Sequence, residues 1–222
     1  MIRVLERVGV DVRYDPQQTC CGHPAFNPGY HEESSLLAER FLDIFDEDGS
    51  DYIVAPSGSC TTMVKIFYGE LLDLSPRYQE KAERVRGRIH EFTSFLTDVI
   101  NIEDVSAEFH GTVTVHDSCH ALRELHVKEQ PRRLLRNVVG LELREMDAAE
   151  VCCGFGGTFA VKYADISTAM TAEKIESIER SGADWVTGVD SSCLLQIDGM
   201  LRKRKSHIRC VHIADILGGE ST

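Results

Sequence analysis

Cys152-Cys153-Gly154-Phe155-Gly156-Gly157-Thr158-Phe159 decides how the rest of the chain is read, because its opening tripeptide occurs twice. Adjacent cysteines are poorly placed to form a disulfide with each other but well placed as neighbouring ligands. Two thiolates side by side can reach one compact inorganic unit, and the glycines that follow let the backbone turn closely around it and offer N–H groups to its sulfurs. The same tripeptide stands at Cys20-Cys21-Gly22. Two occurrences point to a duplicated site.

Working outward, the chain matches itself at offsets of 131 to 133, read directly from the paired positions. Gly9-Val10-Asp11-Val12-Arg13 aligns with Gly140-Leu141-Glu142-Leu143-Arg144, and the segment Asp51 to Cys60 aligns with Asp184 to Cys193. Short apolar or β-branched runs of strand type lie at Val10 to Tyr14, Tyr52 to Ala55, Thr112 to His116, Leu141 to Met146, Trp185 to Val189 and Ile208 to Ile213. Between them are stretches with helical apolar spacing, such as Leu36, Leu37, Phe41, Leu42 and Phe45, or Met170, Ile175 and Ile178. This alternation predicts an α/β protein of two tandem pseudo-repeated lobes, each a mostly parallel sheet covered by helices. Ligand sites then belong at the carboxyl ends of the strands. The cysteines follow that rule: Cys60, Cys119 and Cys193 each come just after a predicted strand. Asn101 to Gly111 reads as the linker, which sets the lobes at residues 1–105 and 106–222.

The second half opens with a strand that delivers Cys119, and the counterpart of that cysteine would fall before residue 1. The expectation is therefore that Met1 is not the natural start, and that the first lobe lacks one strand and one cysteine. Its first helix begins at Ile2 without a capping residue.

The 222 residues are 42% hydrophobic and 27% charged, ordinary values for a globular protein that can bury a substantial core. A net charge of −12 argues against nucleic acid and against an anionic membrane surface as partners. No apolar run approaches the roughly 20 residues of a transmembrane helix, and the N-terminus lacks the apolar core of a signal peptide, so a cytoplasmic location is expected. Eight cysteines in such a chain read as metal ligands or redox thiols rather than a disulfide framework.

Cys119, Cys152, Cys153 and Cys193 form the fuller set, and four thiolates favour an iron-sulfur cluster or a structural zinc. Softness alone does not separate the two. Ligands that come from separate strand ends and include a vicinal pair suit a multi-iron unit better than short zinc knuckles do. Cys20, Cys21 and Cys60 form a three-thiolate set, which holds zinc or an incomplete cluster only with a fourth ligand. Cys210 has no counterpart in the repeat and reads as a plain buried strand residue.

His23, His116 and His120 flank the cysteines. The preferred reading for each is a histidine hydrogen-bonded to its own loop, and the alternative is a proton donor or replacement ligand. Gly154 to Gly157 lacks the spacing and preceding strand of a dinucleotide loop. Arg202 to Lys205 reads as a solvated helix end. Asp117 and Asp190 read as helix caps, with ligation as the alternative.

Thr19-Cys-Cys-Gly-His-Pro-Ala-Phe-Asn27, Ala55-Pro-Ser-Gly-Ser-Cys60, His116-Asp-Ser-Cys-His120 and Cys152-Cys-Gly-Phe-Gly-Gly-Thr-Phe159 together resemble the signatures of the cysteine-rich CCG-domain family. Within it the chain is most similar to the CCG-type iron-sulfur components of bacterial L-lactate utilisation complexes, over essentially its whole length. The iron-sulfur component of glycolate oxidase and the CCG-domain component of heterodisulfide reductase are more distant. The resemblance implies cluster binding and electron transfer in the oxidation of L-lactate to pyruvate, in a multi-subunit oxidoreductase of a type that does not use NAD. It also implies a ferredoxin-type partner and one further protein in the complex, since this chain has no ferredoxin cysteine run of its own.

The family motif ends in C-x2-C. Here that ending is reduced to Ser57-Gly-Ser-Cys60 and Asp190-Ser-Ser-Cys193, which favours an ordinary [4Fe-4S] cluster over a non-cubane one; for the three-thiolate set of the first lobe, zinc is one option and an incomplete cluster the other. Two other readings remain open: a disulfide or thiol reductase of the heterodisulfide reductase type, and a non-catalytic zinc-binding assembly scaffold.

Overall fold

A computed structural model describes residues 1–71 and 76–219. The first part of the chain carries α1 (Ile2–Arg7), α2 (His23–Phe26), α3 (His31–Phe45), β1 (Ile53–Ala55) and α4 (Gly58–Thr62). A π-helical segment, Met63–Phe67, then leads to α5 (Tyr68–Leu71), α6 (Pro76–Arg88), β2 (Ile89–Glu91) and α7 (Phe92–Ser94), which continues into a second π-helical segment at Phe95–Val99. The second part carries β3 (Glu108–Val115), α8 (Cys119–Glu124), α9 (Glu129–Leu135), β4 (Val139–Leu143), α10 (Phe159–Lys162) and α11 (Ala164–Ser181). It closes with β5 (Trp185–Gly188), α12 (Ser191–Lys203), β6 (Arg209–His212) and α13 (Ile213–Gly218).

The second part forms a four-stranded sheet in the order β4-β3-β5-β6, and the first a two-stranded sheet, β1-β2. Every pairing is parallel. The β1-β2 pair is the counterpart of β5-β6. The counterpart of β4 is Val10 to Tyr14, predicted as a strand, and it is irregular. The reason is topological: β4 pairs with β3, and among the described residues no strand stands beside Val10 to Tyr14. A strand whose ladder partner is missing has nothing to bond. The three residues of β2 are too short to give a periodic signal in the sequence, and β3 begins inside the expected linker.

Three apolar cores hold the layers. One lies under the first sheet, with Leu42, Met63, Val85 and Ile89, and one under the second, with Ile175, Ile178, Val186 and Ile197. The third joins the two parts: Val4 and Leu5 of α1 and Phe92 of α7 are in one cluster with Val113, Leu135, Ile213 and Leu217. The junction is reciprocal, since α1 packs on α13 while α9 packs on α7. Arg7 clamps it by donating from its guanidinium to the carbonyls of Val105 (3.1 Å), Leu217 (3.1 Å) and Gly218 (2.9 Å). It thereby satisfies the orphan acceptors at the end of α13. Among the described residues no helix is long and apolar enough to cross a membrane.

Candidate metal centre

The buried valines of β3, Val113 and Val115, fix that strand beside β5 in the register Val115↔Thr187. Two parallel neighbours end at the same edge of a sheet, and this edge receives both cysteine-bearing helices. His116 extends the ladder by one bond, its N–H donating to Thr187 O at 2.8 Å. After it α8 begins at Cys119, and Cys193 lies in the first turn of α12.

The vicinal pair arrives from the loop after β4. Gly154 turns this loop at φ 87, and a Cβ there would stand 2.7 Å from Ser167 O, so only glycine fits. Ser167 Oγ donates to Gly154 O (2.7 Å) and Thr171 Oγ1 to Cys153 O (2.9 Å), which pins the loop to α11.

The four thiols form a run of neighbours, Cys119 beside Cys152, Cys152 beside Cys153, and Cys153 beside Cys193, each pair close enough to shift the other's pKa. Cys153 and Cys193 are only 2% and 8% exposed, while Cys119 and Cys152 are half-buried. Hydrogen bonds from Cys119 and Cys153, with Gly154 N–H at 3.4 Å, hold the Cys152 thiol far below its ordinary pKa. Donating these bonds pushes Cys119 and Cys153 up. One thiolate is thus ready, and the remaining protons leave when a cation replaces them.

Two further groups complete the surroundings. The ligating atoms of His116, Cys153 and Cys193 all lie within 4.8 Å of one another. Burial, with Lys174 nearby, lowers the His116 pKa to about 3, so the imidazole is neutral. Lys174, 1% exposed, donates to Ala148 O (2.7 Å) and Ala149 O (3.1 Å). Burial lowers its pKa while the Cys152 and Cys153 thiolates oppose that shift. A buried cation beside clustered thiolates offsets their mutual repulsion. Contiguous thiols, a buried imidazole with no hydrogen-bond partner and a countercharge together fit a thiophilic metal ion or an iron-sulfur unit.

In the first lobe Cys20 touches Cys21 and Cys21 touches Cys60. Gly22 turns at φ 89 and Ser34 Oγ donates to its carbonyl (3.1 Å), as Ser167 does to Gly154. Cys20 is exposed and lowered to about 6 by the bond from Cys21.

The two sets abut. A Cβ on Gly58 would stand 2.5 Å from Ala121 Cβ, so α4 and α8 approach as closely as a glycine allows. Thr62 Oγ1 donates to His120 O (3.3 Å). The rings of His23 and His120 meet edge-on with centroids 4.6 Å apart.

Several expectations change. His116 is not bonded to its own loop: neither ring nitrogen finds a partner in acceptable geometry, although the Ala149 backbone lies beside the ring. His23 Nε2 is likewise buried and unpartnered, and His120 Nδ1 lies 3.8 Å from Cys119 Sγ. Asp117 caps nothing and instead accepts two hydrogen bonds from the Arg132 guanidinium (2.8 and 3.1 Å). Asp190 sits at the cap position of α12 without capping it. Its carboxylate reaches across to the other lobe, accepting from Ser57 Oγ (2.5 Å), Ser59 Oγ (2.6 Å) and Ser59 N (3.2 Å). Cys210 lies in β6, and burial raises its pKa to about 12. The residue overlooked in the sequence is Lys174; its signal was a lysine beside Ile175 and in step with Ile178 on an apolar helix face.

A family model described as "Cysteine-rich domain" (CCG) matches residues 1–65 and 113–198. Lactate utilization protein A of Macrococcus caseolyticus (strain JCSC5402) is 42% identical over 219 residues, covering 99% of this chain and 88% of that protein. The proteins of the same name from Geobacillus kaustophilus (strain HTA426) and Bacillus subtilis (strain 168) are 43% and 40% identical over 224 and 216 residues. Those alignments cover 99% and 97% of this chain, and 91% and 90% of the relatives.

Proposed function

Because this chain belongs to the cysteine-rich CCG-domain family, we propose that it is the iron-sulfur redox component of an L-lactate-oxidising system, with its electron-carrying centre in the second lobe. Cys119, Cys152, Cys153 and Cys193 would hold the centre. Cys20, Cys21 and Cys60 form a lesser set suited to zinc, and the lobes divide at residues 1–105 and 106–222. The observation that carries this reading is the contiguous run of four thiols at one sheet edge, half of it buried. A [4Fe-4S] cluster there would supply one-electron chemistry.

The chain's own residues then have defined tasks. Cys153 and Cys193 exclude water from the inner side, Gly154 N–H supports the Cys152 sulfur, and Lys174 offsets the thiolate charge. Cys119 and Cys152, which remain partly exposed, face the side from which electrons enter or leave. A ferredoxin-type protein and one further component of the complex are the partners this reading calls for, because residues 1–222 carry no second cluster motif of ferredoxin type. The lactate assignment rests on the relatives' name.

Anaerobic purification, followed by iron, sulfide and zinc analysis beside an EPR spectrum of the reduced protein, tests the proposal. About four irons and four sulfides per chain, as a [4Fe-4S] unit contains, with a signal that disappears on oxidation, is the expected result. A colourless protein that carries only zinc would make it an assembly scaffold instead.

A further inference from the structure

The second-lobe centre has one donor that the cysteine pattern does not announce. His116 stands at the end of the central strand β3, is 1% exposed, and leaves both ring nitrogens without a hydrogen-bond partner. Buried imidazoles are almost always satisfied, so an orphaned one calls for a ligand or a cost. Its surroundings say which. The imidazole nitrogen, Cys153 Sγ and Cys193 Sγ are mutually within 4.8 Å, close to the separation of roughly 3.5–4 Å between donors that share one tetrahedral ion at bond lengths of about 2.0–2.3 Å.

Competing donors are already engaged. Asp190, three residues before Cys193, spends its carboxylate on Ser57 and Ser59 of the other lobe. Asp117, next to His116, is neutralised by Arg132. Lys174 is committed to two carbonyls and has no lone pair to offer once charged. Among the described residues His116 is thus the buried, unengaged donor that faces the inner pair of thiols.

We propose that His116 binds the metal centre directly through an imidazole nitrogen beside Cys153 and Cys193, which makes the second-lobe site a mixed nitrogen-sulfur centre whose other thiolates are Cys119 and Cys152. The inference rests on the reading that this site holds a metal. It does not depend on the metal being iron. The neutral imidazole brings a donor to the centre without the negative charge a further thiolate would add, and nitrogen rather than thiolate ligation raises the reduction potential of an iron-sulfur centre. Lys174 acts in the same direction.

The test is X-ray absorption at the edge of whichever metal the anaerobically purified full chain carries, together with pulsed EPR of the reduced protein grown with ¹⁵N-histidine. The expected result is a nitrogen in the first coordination sphere of the wild type, absent in His116→Gln and replaced by sulfur in His116→Cys. If the metal is iron, a hyperfine coupling that changes with the isotope should also disappear in His116→Gln, and His116→Cys should have a lower potential than the wild type. An all-sulfur sphere in the wild type, or a nitrogen that persists unchanged in either variant, overturns the inference. If His116→Gln does not fold, the wild-type spectrum and His116→Cys still decide. A protein that holds only zinc with one nitrogen would sink the redox proposal and uphold this one, whereas an iron centre with sulfur ligands alone would do the reverse.

Discussion

The two lobes share a loop and differ in what surrounds it. Each has a vicinal pair followed by a glycine at positive φ, and in each a serine from the next long helix, Ser34 or Ser167, donates to that glycine's carbonyl. Along the same helices, however, Ala38 and Phe41 of α3 stand where α11 has Thr171 and Lys174, counting from the matched serines. The Cys21 carbonyl is satisfied by Tyr68 (2.9 Å) and the Cys153 carbonyl by Thr171 (2.9 Å). Both lobes therefore keep the scaffold that shapes a cysteine loop. Among the described residues the second adds a buried countercharge, an imidazole within 4.8 Å of two thiols and a fourth thiol. The loop is a matter of backbone geometry, while a site for an anionic cluster also needs its charge balanced.

The largest expected difference between the lobes is in metal retention. Cys153→Ser should lower bound metal by more than the 10- to 100-fold that changes outside the ligand shell typically cost. Cys21→Ser should leave the second-lobe metal in place, as read by metal analysis after anaerobic purification. Equal losses from the two substitutions would break the comparison.

Lys174→Met tests the countercharge. It removes the hydrogen bonds to the part-buried carbonyls of Ala148 and Ala149, each worth about 0.5–1.5 kcal/mol net, so urea unfolding should show a loss of about 1–3 kcal/mol. A variant as stable as the wild type would mean that the ammonium is not needed where it lies.

Gly58→Ala probes the seam. The new methyl would meet Ala121, and overpacking of this kind costs about 1–3 kcal/mol. The matching change in the second lobe, Ser191→Ala at an exposed position, should stay within about 0.5 kcal/mol. Similar melting shifts for the two would argue that α4 and α8 do not need their close approach.

The smallest effect is in pH dependence, where the lobes carry opposite groups at one position. Glu91 and His212 each end a strand and accept from the first N–H groups of the following helix. Burial, with Asp190 adding a smaller push, raises the Glu91 pKa to about 7. The folded state therefore keeps a proton that the unfolded carboxyl loses, and the Glu91 contribution declines as pH rises towards and through 7. Burial lowers the pKa of His212 from its ordinary 6.5, so its contribution is lost as pH falls below that value, where the unfolded imidazole takes up a proton. Glu91→Gln should remove the decline in stability between pH 4.5 and about 7, and His212→Asn the loss below pH 6.5, each by on the order of 1 kcal/mol. Variants that shift the whole profile without changing its slope would show that neither group titrates as described.

Much of the site was legible because cysteines are uncommon and ligate soft metals, and thiols at repeated spacing are conspicuous in a chain. The repeat grouped Cys119, Cys152, Cys153 and Cys193 as one set and Cys20, Cys21 and Cys60 as another. The irregular run from Val10 to Tyr14 was misread because its apolar alternation is that of a strand; whether it forms one depends on a neighbour with which to exchange hydrogen bonds. Lys174 and His116 were hard to assign for a related reason. A lysine among apolar helix residues and a histidine near a cysteine have several ordinary explanations, and burial and partners separate these only after the chain has folded.

By itself the sequence determined the α/β alternation, the duplication and the two cysteine sets, since period, turn chemistry and ligand type are local properties that survive without a neighbour. Only the tertiary structure decided that Asp190 serves the opposite lobe, that α1 and α13 lock together through Arg7, and that the His116 ring comes within 4.8 Å of the Cys153 and Cys193 sulfurs. These facts depend on which surfaces meet and which polar groups remain unsatisfied when they do, and that balance of burial and hydrogen bonding exists only between segments far apart in the chain.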